Sequence, residues 1–241
     1  MTNNHCEIIV KGGVNQLAFD GQSVSQNNYP QKLSRPRRRK YSALQVQSFV
    51  THDDIGVATM LLKAKLHIVL HAAYYPKYGN AELESCLYQI LYNNKNLTLT
   101  VIFTETSNVS WLEEFAKVLH PYYDAEEFTA RLQHSCHNFN HLQKEIGTER
   151  VRIISTSRLP LFPVILIDNT IIVGHYAHSS TPTPNGLWFR IYHPKISAMY
   201  EDLKRGVNIH SKYTAKEERA VLRYIEELVF TTVNSHPQVN I

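Results

Sequence analysis

The sequence predicts an α/β fold in which a mixed, mostly parallel sheet is flanked by helices. Three observations predict it. From about residue 41 onward, short apolar runs typical of strands alternate with segments of helical periodicity. The chain has 241 residues, 43% hydrophobic and 19% charged, which is the composition of an ordinary globular protein with a well-filled core. Residues 1–40 lack that pattern and form a predicted disordered, basic tail.

The first part of the α/β region predicts a strand–helix–strand unit. A helix capped by Thr51 or Asp53 precedes a buried strand over 66–73. After a Pro- and Gly-containing loop, a helix over 81–94 leads into a second strand over 97–104. Such a βαβ spacing is typical of parallel strands joined by a crossover helix.

The second part predicts two more helices, four strands and two final helices. Its signals are capping residues, a glycine stop and β runs around a turn. In order, we predict a helix capped by Ser110 and running to Leu119, a helix over 125–146 ended by Gly147, a strand over 151–156, two strands on either side of Asp168 and Asn169, a strand over 187–192, a helix over 194–204, and a helix over 215–230 opened by a Thr214/Glu217 capping box.

The composition also predicts domains and a compartment. We expect a flexible tail over 1–40, an α/β domain over 41–210 and a C-terminal helix over 211–241 that packs on it. Three widely spaced cysteines (Cys6, Cys86 and Cys136) fit a reducing compartment. No apolar run suits a membrane span or a signal peptide, so a cytoplasmic location is expected.

Positive charge is concentrated in the tail. Residues 1–40 hold seven basic and two acidic residues, whereas the remaining chain holds eighteen and nineteen. A basic cluster of this kind is an electrostatic anchor for nucleic acid or an acidic lipid surface, or else simply a solvated tail. The cluster comprises Lys32, Arg35, Arg37, Arg38, Arg39 and Lys40.

The densest histidine group lies in the segment HSCHNFNH. His134, His137 and His141 share one helical face, but the apolar residues of the same helix lie on the opposite face. We therefore expect the three imidazoles to face water, where they bind divalent metal only adventitiously. No metal site and no cofactor are predicted.

Polar residues collect where the predicted strands end. Open α/β sheets bind ligands at the carboxyl ends of their strands, and a guanidinium with imidazoles, phenols and hydroxyls suits a phosphate group. A polar sheet rim without function is the competing interpretation. The predicted ligand-binding residues are Tyr74, Tyr75, Glu105, Ser157, Arg158, Asp168, His175 and His178.

Over about residues 50–205, the order of elements resembles one half of the phospholipase D superfamily fold. Active members carry H-x-K-x4-D and then, after a β turn, a strand that ends in G-S-x-N. Asp168 fits the Asp of this pattern and Gly174 fits the Gly. The other positions depart from it: Leu161 stands for the nucleophilic His, Pro163 for the Lys, and His175 and Ala177 for the Ser and Asn. The resemblance therefore implies a degenerate, single-copy member, a branch that is often appended to DNA-binding or regulatory domains.

Leucine and proline can neither attack phosphorus nor neutralise the charge that develops on its oxygens. The predicted function is accordingly a non-catalytic regulatory or binding protein for a phosphate-bearing ligand or nucleic acid. The alternative is a phosphodiesterase or nuclease in which His175 or His178 acts with Arg158; a single half of this kind would need a homodimer. A third interpretation is a structural partner in a larger assembly.

Overall fold

In the computed structural model, residues 43–71, 81–107 and 109–233 are described. Within these ranges seven strands form one sheet in the order β1-β7-β6-β5-β2-β3-β4. The strands are β1 (Gln45–Phe49), β2 (His67–His71), β3 (Thr98–Thr104), β4 (Val151–Thr156), β5 (Val164–Ile167), β6 (Thr170–Val173) and β7 (Trp188–Tyr192). The helices are α1 (Val57–Leu61), α2 (Ala81–Asn93), α3 (Leu112–Leu119), α4 (Ala125–Ile146), α5 (Ile196–Lys204), α6 (Ile209–Lys212) and α7 (Lys216–Val233).

The predicted α/β class is confirmed, and the sheet is mixed. Strands β2, β3 and β4 are parallel, with Ile68 paired with Leu99 and Thr104 paired with Thr156. From β2 the order continues through β5, β6, β7 and β1, in which each successive pair is antiparallel. It follows that β1, β2, β3, β4 and β6 point in one direction, and β5 and β7 in the other.

Helices cover both faces of the sheet. On one face, α1, α2 and α4 pack on Leu70, Val101 and Ile165. On the other, α5, α6 and α7 pack on Val69, Ile102 and Leu166. Consecutive residues of each strand enter opposite cores because side chains alternate along a strand, and this explains why the central strands have almost continuous apolar sequences.

The largest helix follows the predicted amphipathic pattern. Helix α4 spans Ala125–Ile146, ends at Gly147 (φ 108°) and begins at Asp124, whose side chain accepts a hydrogen bond from the backbone N–H of Glu127. Phe128, Leu132 and Phe139 are buried on its inner face.

Several predicted boundaries are wrong, each for a local reason. The first predicted helix is divided at Gly56, whose φ of 73° separates a 3₁₀ turn (Asp53–Ile55) from α1. Helix α3 begins after Trp111 with no side-chain cap, and not at a Ser110 cap. In α7 the carboxylate of Glu218, not Glu217, accepts the N–H of Ala215, so the capping interaction is shifted by one residue.

Strand β1 and helix α6 are absent from the sequence-based predictions. β1 (QVQSF) pairs with β7 at the outside of the sheet, and four of its five side chains are exposed. In the described part of the chain, no helix combines the length and hydropathy that crossing a bilayer requires.

Candidate functional site

Five strand ends meet at one edge of the sheet, which we call the carboxyl edge. They are the ends of β1, β2, β3, β4 and β6, at Phe49, His71, Thr104, Thr156 and Val173. The topology thus brings the polar residues that follow β3, β4 and β6 to the same edge, as the sequence predicts. Tyr74 and Tyr75, expected beyond β2, lie outside the described residues, as does the basic cluster of the tail.

Asp168 is not at the carboxyl edge. It occupies the turn between β5 and β6, with φ 49°, at the opposite edge of the sheet. Its carboxylate accepts hydrogen bonds from the backbone N–H groups of Lys65, Leu66 and His67 at 2.8–3.1 Å. This carboxylate therefore holds the start of β2 against the hairpin, and the structure does not bring it together with the other predicted ligand-binding residues.

Three buried polar side chains lie at the carboxyl edge on the α7 face. His71 is two residues beyond Val69, and Thr104 is two residues beyond Ile102, so both point toward the core that α7 covers. Thr156 pairs with Thr104 and shares that face. His71, Thr104 and Thr156 are all buried. Burial of polar groups at the end of a sheet distinguishes this face from an ordinary solvated rim.

His71 is the most unusual group of this set. Burial lowers its pKa to about 4, so the imidazole is neutral near pH 7. Its Nδ1 is fully buried and has no hydrogen-bond partner among the described residues. The sequence analysis read this residue only as part of a buried strand. The one sequence signal for it was a histidine near the end of an otherwise apolar strand.

Ser157 and Arg158 follow β4 and are exposed. The backbone N–H of Glu105 donates to the carbonyl oxygen of Thr156 at 2.8 Å, which places Glu105 beside the β4 end. The N–H of Arg158 donates to the hydroxyl of Thr156 at 3.3 Å, so the chain turns immediately after the strand. The backbones of Glu105, Ser157 and Arg158 therefore lie near one another at the ends of β3 and β4.

Helix α7 supplies two charged residues that the sequence analysis did not single out. The backbone N–H of Leu161 donates to Glu227 at 3.4 Å, and Phe162 contacts Tyr224 edge to face, so this part of α7 lies beside the loop after β4. Burial raises the pKa of Glu227, while the N–H of Leu161 and the guanidinium groups of Arg158 and Arg223 lower it. Both guanidinium groups are thus close enough to this half-buried carboxylate to lower its pKa.

The i, i+4 spacing of Arg223 and Glu227 was the only sequence signal for this arrangement, and it is shared by many solvated helix faces. We call the group formed by Arg158, Arg223 and Glu227 the arginine pair site. Ser157 lies next to it along the chain. The Arg223 guanidinium also lies over the Phe162 ring, with the centroid 6.0 Å away.

The histidines that follow β6 lie elsewhere along the carboxyl edge. His175 is exposed and contacts Phe189 at the start of β7, with ring centroids 5.8 Å apart. Strands β5, β2 and β3 lie between β6 and β4, so the two strand ends are four strand spacings, or roughly 19 Å, apart. His178 is exposed in the same loop. The structure does not bring His175 to Arg158.

Gly174 ends β6 where the sequence pattern places its glycine. Its backbone lies against the indole of Trp188, and a Cβ at this position would come within 2.9 Å of Trp188 Cε2. The Trp188 indole N–H donates to the carbonyl oxygen of Thr183, and His52 packs against its ring edge to face. The glycine is therefore needed for packing of the loop that carries His175 and His178.

On α4, His134, His137 and His141 are all exposed, as predicted. His134 lines a shallow surface pocket beside Glu127 and Arg131, which form an ion pair. Among the described residues, no three His, Cys, Asp or Glu side chains are grouped closely enough to hold a metal ion.

The sequence matches no protein-family model, and no curated protein is similar to it in sequence. Solved structures are similar to it in fold. They include TrmBL2, an archaeal chromatin protein with a novel mode of DNA binding (10% identity, TM-score 0.42, 68% of this chain and 52% of that chain). Another is Nuc from Salmonella typhimurium, described as a phospholipase D family member (11% identity, TM-score 0.42, 81% and 99%).

A third is phosphatidylserine synthase from Haemophilus influenzae Rd KW20 (10% identity, TM-score 0.44, 82% and 46%). This chain thus spans about half the length of the TrmBL2 and phosphatidylserine synthase chains.

Proposed function

We propose that this chain is a binding protein with a phospholipase D-like fold that holds a phosphate-bearing ligand at the carboxyl edge of its sheet without cleaving it. The observation that supports the proposal is the arginine pair site, where the guanidinium groups of Arg158 and Arg223 are close enough to interact with the charge of Glu227, next to exposed Ser157. The two cations exceed the one carboxylate by a full positive charge. Guanidinium groups recognise phosphate through paired, charge-assisted hydrogen bonds, and this chemistry suits the site.

The surroundings of the pair support binding at this place. Thr104, Thr156 and His71 supply buried polar groups on the same face of the sheet, next to the end of β4. Phe162 gives Arg223 an aromatic surface, which limits the orientations of its guanidinium. An arginine whose orientation is limited in this way loses less side-chain entropy on binding an anion than a fully mobile one.

The absence of catalysis is proposed from the phospholipase D-like register. The pattern of active members has an Asp before a β turn and a Gly at the end of the strand that follows. Asp168 lies in the turn between β5 and β6, and Gly174 directly follows β6. In the same register, Leu161 and Pro163 occupy the positions of the reacting imidazole and amine. Leu161 is exposed and Pro163 is buried before β5, and neither can carry out nucleophilic attack or charge neutralisation.

The enzyme alternative depends on His175 or His178 acting on a phosphoryl group held by Arg158. Within one chain, the strand order separates the ends of β6 and β4 by roughly 19 Å, which is too far for one phosphoryl group to contact both. The alternative therefore needs a second copy of the chain, and the experiment below includes it as an outcome.

Binding of fluorescein-labelled single-stranded DNA, duplex DNA and ATP, measured by anisotropy and calorimetry, tests the proposal. We expect Arg158→Ala and Arg223→Ala each to weaken the probe that binds by about tenfold, the effect of losing one charge-assisted interaction. Arg219→Ala is the matched control, because Arg219 is an exposed arginine near the amino end of the same helix.

If all three variants weakened probe binding equally, the attraction would be unspecific charge attraction, and the proposed binding site would be wrong. Hydrolysis of a generic phosphodiester that is lost in His175→Ala or His178→Ala would replace the proposal with the enzyme alternative. Retention of the circular dichroism spectrum in each variant shows that a change in binding is not caused by unfolding.

A further inference from the structure

A serine, a histidine and a carboxylate lie together at the edge of the sheet opposite the arginine pair site. Ser197, in the first turn of α5, places its Oγ 3.2 Å from Nε2 of His67, the first residue of β2. Glu201, one turn further along α5, places its Oε1 3.8 Å from Nδ1 of the same imidazole. The imidazole thus lies between a hydroxyl and a carboxylate.

The environment of His67 suits a general base. The residue is 5% exposed, and burial lowers its pKa, as does the charge of Lys204. The charges of Glu201 and Asp168 and a hydrogen bond to the Asp168 backbone oppose this shift. A neutral imidazole near pH 7 has one nitrogen free to accept a proton. Because Glu201 lies on the Nδ1 side, the tautomer with its proton on Nδ1 is favoured, and Nε2 is left as the acceptor for the Ser197 hydroxyl.

Ser197 is held in place and remains accessible. Its backbone N–H donates to Oδ1 of Asn169 at 3.0 Å, which fixes the first turn of α5 on the β5–β6 turn. The carboxamide of Asn169 carries two further N–H donors beside the same serine. Ser197 is half-buried and the Glu201 side chain is 43% exposed, so this group of side chains lies at the protein surface.

A serine hydroxyl within hydrogen-bonding distance of a buried imidazole can be activated by it, and a nearby carboxylate stabilises the imidazolium that forms. Glu201 is close enough for this electrostatic role, although the same oxygen also pairs with Lys204 at 3.1 Å. We propose that Ser197 is an activated nucleophile that forms a covalent acyl-serine with small carboxylic esters, with His67 as general base and Glu201 as a positioning residue. This site is separate from the arginine pair site and uses none of its residues.

The reaction balances with water as the only co-reactant. The Ser197 Oγ forms a bond to the ester carbonyl carbon while its proton passes to His67 Nε2. The bond from that carbon to the alkoxy oxygen then breaks, and the leaving alcohol takes the proton from His67. In the second half, water gives a proton to His67 Nε2 and its oxygen bonds to the carbonyl carbon. The bond from that carbon to Ser197 Oγ then breaks, Oγ takes the proton back from His67, and the carboxylic acid leaves.

Labelling of the full chain with a fluorophosphonate, read by intact mass and peptide mapping, tests the proposal. We expect one adduct, on Ser197, and none in Ser197→Ala. Ser211→Ala is the matched control, since Ser211 is a helical serine whose hydroxyl donates to the Asn208 backbone carbonyl, and this variant should label like the parent chain. Glu201→Gln keeps the shape of the side chain and should slow labelling by about tenfold, because the negative charge that stabilises the imidazolium is lost.

A second readout is release of p-nitrophenolate from p-nitrophenyl acetate, with an initial burst of one equivalent if the acyl-serine forms. No adduct on folded parent chain, or equal labelling of Ser197 and other serines, would overturn the proposal and leave the His67–Ser197 contact as a structural hydrogen bond. Labelling of Ser197 and binding of the DNA and ATP probes are separate measurements on different residues, so failure of the arginine pair site and failure of this site are distinguishable.

Discussion

The carboxylate of Asp168 accepts the backbone N–H of Leu66 at 2.8 Å, a contact between residues 102 positions apart. The same carboxylate accepts the N–H groups of Lys65 and His67, so three donors at the start of β2 depend on one side chain. The turn between β5 and β6 is thereby fixed to the amino end of a central strand.

Asp168→Ala is expected to lower the free energy of unfolding by about 2 to 3 kcal/mol, because three backbone donors lose a charged acceptor. Asp168→Asn tolerates the left-handed backbone at this position and should retain part of that stability. Urea denaturation followed by circular dichroism measures both. Asp124→Ala, which removes an ordinary helix cap, is the control at about 1 kcal/mol. A loss at Asp168 no larger than that of the control contradicts the expectation.

Gly174→Ala is expected to destabilise the protein by about 1 to 3 kcal/mol, because the new methyl group would overlap the Trp188 indole. Gly186→Ala is the matched control, since a Cβ there meets its nearest atom, the Thr183 carbonyl oxygen, only at 3.4 Å. Thermal unfolding and tryptophan fluorescence report the change. Combining Gly174→Ala with Trp188→Phe should recover part of the loss; absence of any recovery would show that the indole is not the obstacle.

His71 makes stability depend on pH in a definite direction. The unfolded chain protonates this imidazole below about pH 6.5, whereas the folded chain does so only near its lowered pKa of about 4. The unfolded state therefore binds more protons within that window, and stability falls as the pH decreases through it.

His71→Leu removes the titrating group at similar volume, so the variant should gain up to about 3 kcal/mol relative to the parent chain between pH 7 and pH 4. At pH 7 the free energies of unfolding of the variant and the parent chain should agree within about 1.5 kcal/mol. Urea denaturation at several pH values measures the difference. His137→Leu, at an exposed position, should leave the pH profile unchanged, and an identical effect of both variants would contradict the assignment to His71.

Asp202 stabilises the α5–α6 connection at neutral pH. Hydrogen bonds from Lys212 and then Tyr213 lower the pKa of this buried carboxyl. Its contribution is present above the unfolded value of about 3.9 and is lost as the pH falls through the lower folded value. Asp202→Asn should cost about 2 kcal/mol at pH 7 and less than that at pH 2. Thermal unfolding at the two pH values checks this, with exposed Glu114→Gln as the control; a cost that does not depend on pH would argue against the charged interaction.

Deletion of residues 1–40 removes the six-residue basic cluster predicted to act in nucleic-acid binding. If this cluster contacts DNA phosphates, each contact releases counterions, so the slope of log affinity against log salt should become shallower by up to about 4 for single-stranded DNA. Anisotropy titrations at several salt concentrations measure the slope. A truncated chain with an unchanged slope removes the tail from the proposed function.

Most of the architecture could be predicted because apolar periodicity decides it. The runs LHIVLH and LTLTVIF are apolar on both faces, as strands covered by helices must be, and the β5–β6 hairpin is marked by the Asp168–Asn169 turn between two apolar runs. The histidine face of α4 followed from the 3.6-residue period alone. The α/β class is therefore a property of local patterns.

What could not be predicted depends on partners distant in sequence. β1 is exposed along most of its length and becomes a strand only because β7 pairs with it, so QVQSF carries no amphipathic signal. The arginine pair site joins the loop after β4 to α7, and the Ser197–His67 contact joins residues 130 positions apart. The spacing of residues along the chain does not predict such long-range contacts. Asp168 was predicted as a ligand-binding residue because the direction of β5 relative to β2 could not be read from the sequence.

The antiparallel pairing of β2 with β5 has a consequence for folding during synthesis. Ile68 pairs with Ile167, so one side of β2 has no neighbour until about a hundred more residues have left the ribosome. The hairpin of β5 and β6 closes locally and then docks as a unit. We expect the nascent chain to be most vulnerable to aggregation while β2, β3 and β4 are made but this hairpin is still inside the exit tunnel.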